Sequence, residues 1–517
     1  MLTSLRQSTS SVLATARRSL FVKSAAKSEQ RQRLVILGSG FAAFEALRNV
    51  DTRLFDTVVI SPRNYFVFTP LLASAACGTL EPRCTLEPIR NSKLASSNTH
   101  VYLAKCEDID FGKRIVKCVS NATGLSPTSA AESAADGSST NPAAFDIEYD
   151  QLVVAVGARS NTFNTPGVSQ HAFFLKDIED ARRIRSRVIE CFERASQPHV
   201  TDEEKKRLLH FAIVGGGPTG MEYGAELHDL IHEDLRGLFV DVVAHAKISI
   251  YDVAPTVLGS FDKKLADYAT NRFRRQGIEI KTSTSIKSVS ATHLYLKHGK
   301  PADATAASNS TAAAAVVNGE EEVPYGMLIW ATGITEVPLI ERIGASVVKD
   351  GRKRVVTDAS LRPFDVQTNK PIDGVYVLGD CGTIQNYELP ATGQVAKQQG
   401  KYLAKTLNAA VRQSPSEIPT SPPPFSYHHM GSLAYVGGWR ALFELKPMPT
   451  HPHDPNAPEP EEAGGVLSNL RVRASGLGAW LFWRSAYMTN AVSIRNKILI
   501  PGFWFLTWLL GRDISKF

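Results

Sequence analysis

Two glycine-rich loops, each set between an apolar run and a helical pattern, constrain the fold of this chain more than any other feature. The first, LVILGSGFAA, begins at Leu34, and the second, FAIVGGGPTG, begins at Phe211. In such a loop the first glycine makes the tight turn, and the second lets the backbone approach a pyrophosphate. The following helix N-terminus supplies N–H donors and the positive end of a dipole. Two such units predict an α/β fold with two Rossmann-like dinucleotide-binding domains.

Two dinucleotides bound face to face are typical of a flavoprotein, which predicts FAD in the first unit and NADH in the second. The first loop would hold FAD through Gly38, Ser39, Gly40, Phe41 and Ala42. The second would hold NADH through Gly215, Gly216, Gly217, Pro218, Thr219 and Gly220.

The residue that ends the second strand of each unit is expected beside the adenosine ribose. In the second unit this residue is Asp252, directly after the strand Lys247–Tyr251. A carboxylate there accepts from the ribose hydroxyls and repels a 2′-phosphate, which favours NADH over NADPH. An ordinary helix-capping role is the alternative. In the first unit the equivalent residue is Ser61, which can still bond a ribose hydroxyl.

Three further turns follow predicted buried strands. Gly379 and Asp380 follow the run Gly374–Leu378, and we expect Asp380 to bond a ribityl hydroxyl of FAD. Gly157 follows the run Gln151–Val156. Further contacts are expected with NADH from a turn after the strand Gly326–Trp330, which comprises Ala331, Thr332 and Gly333.

Charge and cysteine content exclude several classes of protein. The 517-residue chain has a net charge of +7, but the excess lies near its two ends, and a slightly acidic middle argues against nucleic-acid binding. The six cysteines form no CxxC pair and no metal-ligand spacing, so we expect reduced packing thiols and no metal site. A flavin disulfide reductase needs a CxxxxC pair after the first loop, and Cys77 and Cys84 do not have that spacing.

Composition divides the chain into segments. Residues 1–30 are rich in Ser, Ala, Leu and Arg, as in a mitochondrial targeting leader, although a disordered tail would read similarly. We expect an FAD-binding domain at 31–165 and 328–410 with an insertion at 119–145. An NADH-binding domain would span 166–327 with an insertion at 301–319, and a linker with a membrane-associated region would span 411–517.

Several specific segments resemble type II (alternative, single-subunit) mitochondrial NADH:ubiquinone oxidoreductases. They are SPRNYFVFTPLLASAACGTLEP from Ser61, GGGPTGMEYGAEL from Gly215, LPATGQVAKQQGKYLAK from Leu389, and WRSAYMTNAVSIRNKILIPGFWFLTWLLGRDISKF from Trp483. The resemblance runs from about residue 31 onward, apart from the two insertions. It implies non-covalent FAD, NADH as donor and membrane ubiquinone as acceptor, without proton pumping, at the mitochondrial inner membrane.

The resemblance also implies roles for individual residues. Asn64–Leu72 would line the flavin, with Thr69 and Pro70 nearest the isoalloxazine and Pro62 and Val395 among the FAD contacts. Glu222 would face the nicotinamide, and Gln394 and Gln398 would lie where flavin meets quinone. The residues expected to carry the reaction are therefore Thr69, Glu222, Gln394 and Gln398.

The residues around Gln394 support a flavin contact independently of the family. Gln394 begins a helical stretch, Gln394–Leu407, opened by Pro390 and Gly393. A helix N-terminus aimed at the flavin would stabilise the anionic reduced ring. For Gln398 an exposed helix face is an equally good interpretation.

The chain from residue 477 onward has the composition of an amphipathic helical membrane anchor. Four of the six tryptophans lie at 480–517, beside several other aromatics and basic residues. The longest uncharged run, Ile498–Gly511, is short and contains Pro501-Gly502, so we expect interfacial contact rather than a membrane span. Anionic headgroups would meet Arg484, Arg495, Lys497 and Arg512. A homodimer interface could bury the same face.

These observations predict a two-step reaction in which NADH delivers hydride to FAD N5 and two electrons then pass to quinone. The rival interpretation is a membrane-bound NADH-oxidising signalling flavoprotein that resembles apoptosis-inducing factor. Such a role needs neither an amphipathic anchor nor a glutamine-bearing quinone helix.

Overall fold

The computed structural model describes residues 31–90, 98–121, 144–298, 316–317, 320–412, 423–445, 472–490 and 493–515. The predicted leader and most of both insertions lie outside these residues. The fold is of the predicted α/β class, with one large sheet around each glycine-rich loop.

The first sheet has seven strands and carries the first glycine loop at its centre. Across the sheet the strands are Val375–Val377, Gln151–Val154, Gln32–Leu37, Phe55–Ser61, Thr99–Asp110, Ile115–Ser120 and Ala144–Glu148. The first five run parallel, and the last two extend the sheet as antiparallel strands. Because the five central strands are parallel, their carboxyl ends meet at one edge, where ligands of such sheets bind.

The second sheet has five strands, all parallel, with the second glycine loop at its centre. In order they are Phe173–Phe174, Met327–Trp330, His210–Val214, Lys247–Tyr251 and Glu279–Lys281. The strand His210–Val214 is buried along its whole length, as a strand covered on both faces must be. A four-stranded antiparallel sheet lies beside it, formed by Thr284–Val289, His293–His298, Glu320–Pro324 and Val316–Val317.

The helices follow the two sheets in a regular way. The helix Phe41–Asn49 follows the first loop, and we call the helix Pro218–Asp229, after the second loop, the second-loop helix. A π-helical turn, Leu230–Leu235, extends the second-loop helix and lengthens the connection to Asp252. The remaining α-helices before residue 413 are Leu72–Ala76, Val168–His171, Ile178–Ala195, Asp202–Leu208, Arg236–Leu238, Lys263–Arg275, Pro338–Arg342 and Gly393–Arg412.

Short pairs of strands and 3₁₀ turns complete the two halves. The strand pairs are Tyr65–Val67 with Leu86–Pro88, Ala158–Ser160 with Ile334–Glu336, and Val355–Thr357 with Gly382–Ile384. The pair formed by Ala158–Ser160 lies where the chain passes between the two large sheets. The 3₁₀ turns are Thr69–Leu71, Pro82–Thr85, Val243–His245, Ile343–Ala345 and Gly379–Cys381.

The C-terminal part of the described chain is a three-stranded sheet followed by two helices. The strands are Ser432–Tyr435, Ala441–Leu445 and Val472–Gly476. The first C-terminal helix is Leu477–Asn490 and the second is Ile494–Leu510. Trp480, Trp483 and Trp504 from these helices are buried in the same core as the second-loop helix.

The second C-terminal helix is not interrupted at Pro501. The second C-terminal helix runs through it for 17 residues. An internal proline costs about 3 kcal/mol, but Ile500 and Trp504 on either side are 1% and 5% exposed. Burial of two such side chains contributes about 3–6 kcal/mol and outweighs that cost. Within the described residues, no helix combines the length and apolar character needed to cross a membrane.

The insertion bounds also need a correction. Residues 119 and 120 belong to the strand Ile115–Ser120, and the next strand begins at Ala144, inside the predicted insertion 119–145. The two strands pair directly, so the first insertion joins the ends of an antiparallel pair, as expected. In the second insertion, Val316–Val317 forms a short strand.

Candidate active site

Both glycine loops have the backbone geometry that close approach to a phosphate requires. Gly38 and Gly215 have φ of +112° and +114°, a region that favours glycine. A Cβ on Gly38 would lie 2.3 Å from the carbonyl oxygen of Ala155, and one on Gly215 would lie 2.6 Å from that of Ala331. Each loop therefore packs against the turn after a neighbouring strand, which excludes any larger residue.

The helix that follows each loop begins with unsatisfied N–H groups facing open space. Gly40 and Gly217 are the N-caps, and neither helix has a side-chain cap. A Cβ on either glycine would meet nothing within 4 Å. Since the first N–H groups of a helix need acceptors, each loop leaves a cradle that fits a pyrophosphate.

A single cavity of about 740 Å³ joins the two loops. On the first-sheet side, predicted contacts line it: Gly38, Ser39, Gly40, Phe41, Ala42, Ser61, Pro62, Thr69, Pro70, Gly157, Gly379 and Asp380. From the second unit come Pro218, Thr219, Glu222, Ala331, Thr332 and Gly333. Four of the predicted NADH contacts in the second loop, Gly215, Gly216, Gly217 and Gly220, are not among the lining residues, and neither is Asp252.

Asp380 places a carboxylate in this cavity. Among the residues that the structure describes, none donates a hydrogen bond to it, and burial raises its pKa. The side chains of Lys176 and Arg354 partly oppose that rise. A buried carboxylate that lacks a protein donor suits a ligand hydroxyl, as expected for the ribityl chain of FAD.

Gln399 holds the turn that presents Asp380, and sequence reasoning missed it. Its Oε1 accepts from the backbone N–H of Gly379 at 2.7 Å, and its side chain is buried. Gln398, the neighbour that was predicted, lies 100° away around the helix. No local sequence signal singles out Gln399, because its contact with the Gly379 turn is formed only in the folded structure.

The predicted adenosine contacts use their polar groups within the protein. The Ser61 hydroxyl donates to the Ser39 hydroxyl at 3.0 Å, which fixes both beside the first loop. The Asp252 carboxylate accepts from the backbone N–H groups of Gly216 and Ala254. Asp252 thus lies at the second loop and caps backbone N–H groups there, as in the alternative role. Its contact with a ribose stays a prediction.

The residues near the expected flavin ring divide between the cavity and the surface. Thr69 and Pro70 lie in a 3₁₀ turn on the cavity wall, and Phe41 packs edge-on against Phe66 at 5.0 Å between ring centres. Asn64 is exposed and does not line the cavity. Val395 is buried and lines a small neighbouring pocket with Asp380, not the main cavity.

Glu222 is a buried carboxyl on the cavity wall. It is 9% exposed, and its Oε1 accepts from the backbone N–H of Tyr435 at 3.1 Å. Burial raises the pKa of Glu222 to about 8, and the Tyr435 N–H opposes that rise only in part. Glu222 is therefore protonated at neutral pH and can hold a proton at the cavity.

The two predicted glutamines have their amides occupied by the backbone of residues 428–431. Gln394 donates to the Gly431 carbonyl at 2.7 Å and accepts from the Met430 N–H at 3.2 Å. Gln398 pairs in both directions with the backbone of His428, at 2.8 and 3.0 Å. The start of their helix still lines the cavity, through Gly393 and Ala396.

The C-terminal region contributes residues to the cavity that composition had assigned to the membrane. Tyr487 and Leu433 both line it. Trp483 packs on Tyr487 at 4.6 Å between ring centres and on Tyr435 at 5.5 Å. The aromatic content of this region therefore serves the site as well as the surface.

Two of the four expected headgroup contacts are wrong. Arg512 has a side chain that is 7% exposed and pairs with Asp234 and Glu233. Arg484 lies over the rings of Trp480 and Trp504 at 4.1 and 4.4 Å, within the aromatic cluster. Arg495 and Lys497 are exposed, as a headgroup contact requires.

Within the described residues, the cavity wall includes one cysteine. Its six cysteines are free and buried; Cys106 lines the cavity, whereas Cys77 and Cys84 do not. No group of three or more His, Cys, Asp or Glu side chains in the described residues could hold a metal ion.

Comparison with known proteins places this geometry in a family. A family model described as pyridine nucleotide-disulphide oxidoreductase matches residues 32–400, and one described as NDH2 C-terminal domain matches residues 461–513. The chain belongs to the type II, or alternative, NADH:ubiquinone oxidoreductase family. The family model for the C-terminal domain covers both C-terminal helices.

Curated relatives and a solved structure extend over nearly the whole chain. The Dictyostelium discoideum protein named "Probable NADH dehydrogenase" is 36% identical and covers 94% of this chain and 92% of its own. The mitochondrial internal alternative NAD(P)H-ubiquinone oxidoreductase A1 of Solanum tuberosum is 35% identical, over 95% and 89%. The structure of NDH2 from Plasmodium falciparum with NADH superposes with a TM-score of 0.77, at 25% identity, over 94% of this chain and all of that one.

A more distant structure shares only the fold. The sulfide:quinone oxidoreductase of Aquifex aeolicus superposes with a TM-score of 0.60 at 17% identity, over 93% of this type II enzyme and 96% of that chain.

Proposed function

We propose that this protein is a single-subunit, non-proton-pumping NADH:ubiquinone oxidoreductase with non-covalent FAD. The observation that carries the proposal is the single cavity that connects the two dinucleotide loops and reaches Tyr487 in the C-terminal region. A cavity shared by both loops would bring the two nucleotides together. The mitochondrial names of the relatives support a peripheral place at the inner membrane.

The FAD contacts are proposed to be the cavity-lining residues of the first unit. The unfilled space at Gly40 would take the pyrophosphate, and Asp380 the ribityl chain. When bound, FAD supplies a two-electron carrier that takes hydride from NADH and gives electrons to quinone. Thr69 and Pro70 would pack against the ring, and the N-terminus of the helix Gly393–Arg412 would stabilise negative charge on it.

The NADH contacts are proposed to be the second loop and the turn Ala331–Gly333. Asp252 would exchange one of its backbone hydrogen bonds for the ribose hydroxyls, with a charge that disfavours a 2′-phosphate. The Solanum tuberosum relatives are named NAD(P)H-ubiquinone oxidoreductases, and that name covers both nucleotides. The preference for NADH over NADPH is therefore proposed from Asp252 and not from the relatives.

The proposed role of Glu222 is to hold a proton beside the reacting centre. The net reaction takes up one proton from solvent for each quinone that becomes quinol, in addition to the hydride from NADH. A carboxyl with a pKa of about 8 is protonated at neutral pH and can donate to a quinol oxygen. Gln394 and Gln398 remain proposed at the junction of flavin and quinone, where they would act by fixing the backbone of residues 428–431.

The membrane is the proposed partner of the C-terminal helices. Large apolar side chains on them are exposed: Leu477, Leu481, Phe482, Ile494, Ile498, Phe505, Leu506, Trp508, Leu509 and Leu510. Lys497 and Arg495 lie among them, as an interfacial helix requires. A homodimer that buries part of the same face is compatible with this arrangement.

The domain bounds given by composition remain part of the proposal. The FAD-binding domain would comprise 31–165 and 328–410, which contain all seven strands of the first sheet. The strand Met327–Trp330 crosses the proposed boundary at 327 and belongs to the second sheet. The NADH-binding domain would comprise 166–327, and 411–517 would form the membrane-associated region.

The test is NADH oxidation by purified protein, with and without a short-chain ubiquinone, compared with NADPH. We expect quinone-dependent NADH oxidation that requires bound FAD, and much slower oxidation of NADPH. NADH oxidation without any response to quinone would contradict the proposal.

A further inference from the structure

The second-loop helix carries a row of buried carboxyl groups on one face. Glu222, Glu226 and Asp229 lie four and three positions apart, and all three are less than 10% exposed. With a rise of 1.5 Å per residue, Glu226 lies about 6 Å along the axis from Glu222, which faces the cavity. A row of buried acids needs compensating groups from elsewhere in the molecule.

Glu226 has three such partners, and they link it to the C-terminal turn. The hydroxyls of Ser74 and Thr79 donate to its two carboxyl oxygens at 2.7 and 2.6 Å. The Nε of Arg512 donates to the Thr79 hydroxyl at 3.1 Å. Burial raises the pKa of Glu226, and the Arg512 guanidinium and the two hydroxyls oppose that rise because they favour the ionised carboxylate.

Arg512 is held in place by the turn that follows the second C-terminal helix. Its guanidinium pairs with Asp234 and with Glu233 at 2.9 Å, and its own backbone N–H donates to Asp234 at 2.9 Å. Gly511 allows this approach, because a Cβ there would lie 2.8 Å from the Asp234 carboxylate. The turn is therefore built to deliver one charge to a buried position.

We propose that Arg512 is a positioning residue that, through Thr79, opposes proton uptake by Glu226 and so sets the pH range in which Glu222 holds its proton. This inference rests on the proposed function, since Glu222 acts there on quinone. The second C-terminal helix, which also carries the exposed apolar face, thereby bears on the electrostatics of the cavity.

The other charged and titratable groups around these carboxyls do not replace Arg512. Glu222 is faced by Tyr435 and Tyr487 from the C-terminal region, and burial raises the pKa of both phenols, so they stay neutral. Glu226 is also faced by Asp229, Cys77 and Arg484. Arg484 stacks instead on the indole rings of Trp480 and Trp504.

The sign of the effect follows from the distances. Removal of the Arg512 charge favours proton uptake by Glu226, and the negative charge beside Glu222 disappears. That negative charge raises the pKa of Glu222, so its loss lowers that pKa. Asp234 and Glu233, left without a cation, lie about 16–18 Å along the axis from Glu222, too far to compensate.

The test compares pH profiles of quinone reduction by the full-length, FAD-loaded enzyme in detergent. Arg512→Gln is expected to move the alkaline fall in activity to lower pH by about one unit, the size expected for a charge removed at this distance. Arg512→Lys retains the charge and should leave the position of the fall unchanged. Arg236→Gln removes an exposed charge two residues after Asp234, the partner of Arg512, and serves as the matched control.

Two further measurements separate this role from a structural one. The infrared band of the protonated Glu222 carboxyl, assigned by its loss in Glu222→Gln, should disappear at lower pH in Arg512→Gln than in the natural protein. In Glu226→Gln the additional change Arg512→Gln should cause no further shift. If Arg512→Gln does not fold, Thr79→Val breaks the same bridge and should shift the band in the same direction.

The inference is overturned if neither the pH profile of quinone reduction nor the Glu222 infrared band shifts in Arg512→Gln. If Arg512→Gln does not fold, the same result in Thr79→Val overturns it. A uniform loss of rate at every pH would do the same, since it indicates only a structural latch. Failure of the natural protein to reduce quinone would instead count against the proposed function, so the two failures are distinguishable.

Discussion

Glu222 accepts a hydrogen bond from the backbone N–H of Tyr435, 213 residues further along the chain. This contact joins the helix after the second glycine loop to the first strand of the C-terminal sheet. The wall of the cavity is thus shared between a dinucleotide-binding unit and the region that carries the exposed apolar face. The environment of Glu222 depends on both.

The first prediction concerns the pH dependence of quinone reduction. The pKa of Glu222 is raised to about 8, so the group is protonated below that pH and charged above it. We expect quinone reduction to fall as pH rises through about 8, and the fall to be absent in Glu222→Gln. Ferricyanide takes electrons without a proton, so its reduction should show no fall there; a shared fall would assign the pKa to another step.

The second prediction concerns the choice between NADH and NADPH. Asp252→Asn removes a charge that would repel a 2′-phosphate, so the ratio of kcat/KM for NADH over NADPH should drop about tenfold, equivalent to about 1.4 kcal/mol. Asp241→Asn makes the same change at an exposed site in the same half of the protein. A natural enzyme that already prefers NADPH would show that Asp252 does not lie at the ribose.

The third prediction separates ligand binding from folding at Asp380. Burial raises the pKa of this carboxyl, so the folded apoprotein binds the proton more tightly than the unfolded chain and loses stability as pH rises. Asp380→Asn should raise the Tm of the apoprotein at pH 8 yet weaken FAD binding, so that FAD increases the Tm by less than in the natural protein. Thermal scans of both apoproteins, with and without FAD, measure this; an unchanged FAD-dependent increase would place Asp380 outside the site.

The fourth prediction concerns membrane binding. Deletion of both C-terminal helices would uncover Glu222 and the buried tryptophans, so substitution of exposed residues is the cleaner test. Phe505→Ser combined with Leu509→Ser should abolish flotation with liposomes that contain anionic lipid, since each removed side chain contributes about 1.5–3 kcal/mol of apolar burial. FAD content and ferricyanide reduction should persist. Normal flotation of the doubly substituted protein would move the membrane contact elsewhere, and a change in sedimentation mass instead would indicate a dimer face.

Sequence reasoning predicted the fold where local rules decide it. The strand Lys247–Tyr251 has the predicted bounds, because the charged Asp252 ends the apolar pattern. Where no such residue marks the end of an element, the observed bounds differ from the predicted ones. The helix predicted from Gln394 to Leu407 spans Gly393–Arg412.

The site was less predictable where distant segments meet. Composition separated the aromatic C-terminal region from the nucleotide loops but could not tell that Trp483 and Tyr487 face inward while Trp508 faces outward. Aromatic residues occur on all sides of both C-terminal helices, so the sequence periodicity does not show which face is buried. Likewise, no local signal distinguishes Gln399, which holds the Gly379 turn, from Gln398 beside it.

The hydrogen bond from Arg512 to Thr79 spans 433 residues, and this separation bears on how the enzyme is made. A ribosome adds about 5–20 residues per second, so roughly 20–90 s pass between the synthesis of the two partners. During that interval Glu226 and its neighbours have no guanidinium, and the core surface that later receives Trp483 and Trp504 lies open. Nascent chains of this length are therefore vulnerable to aggregation and proteolysis until their last helix docks.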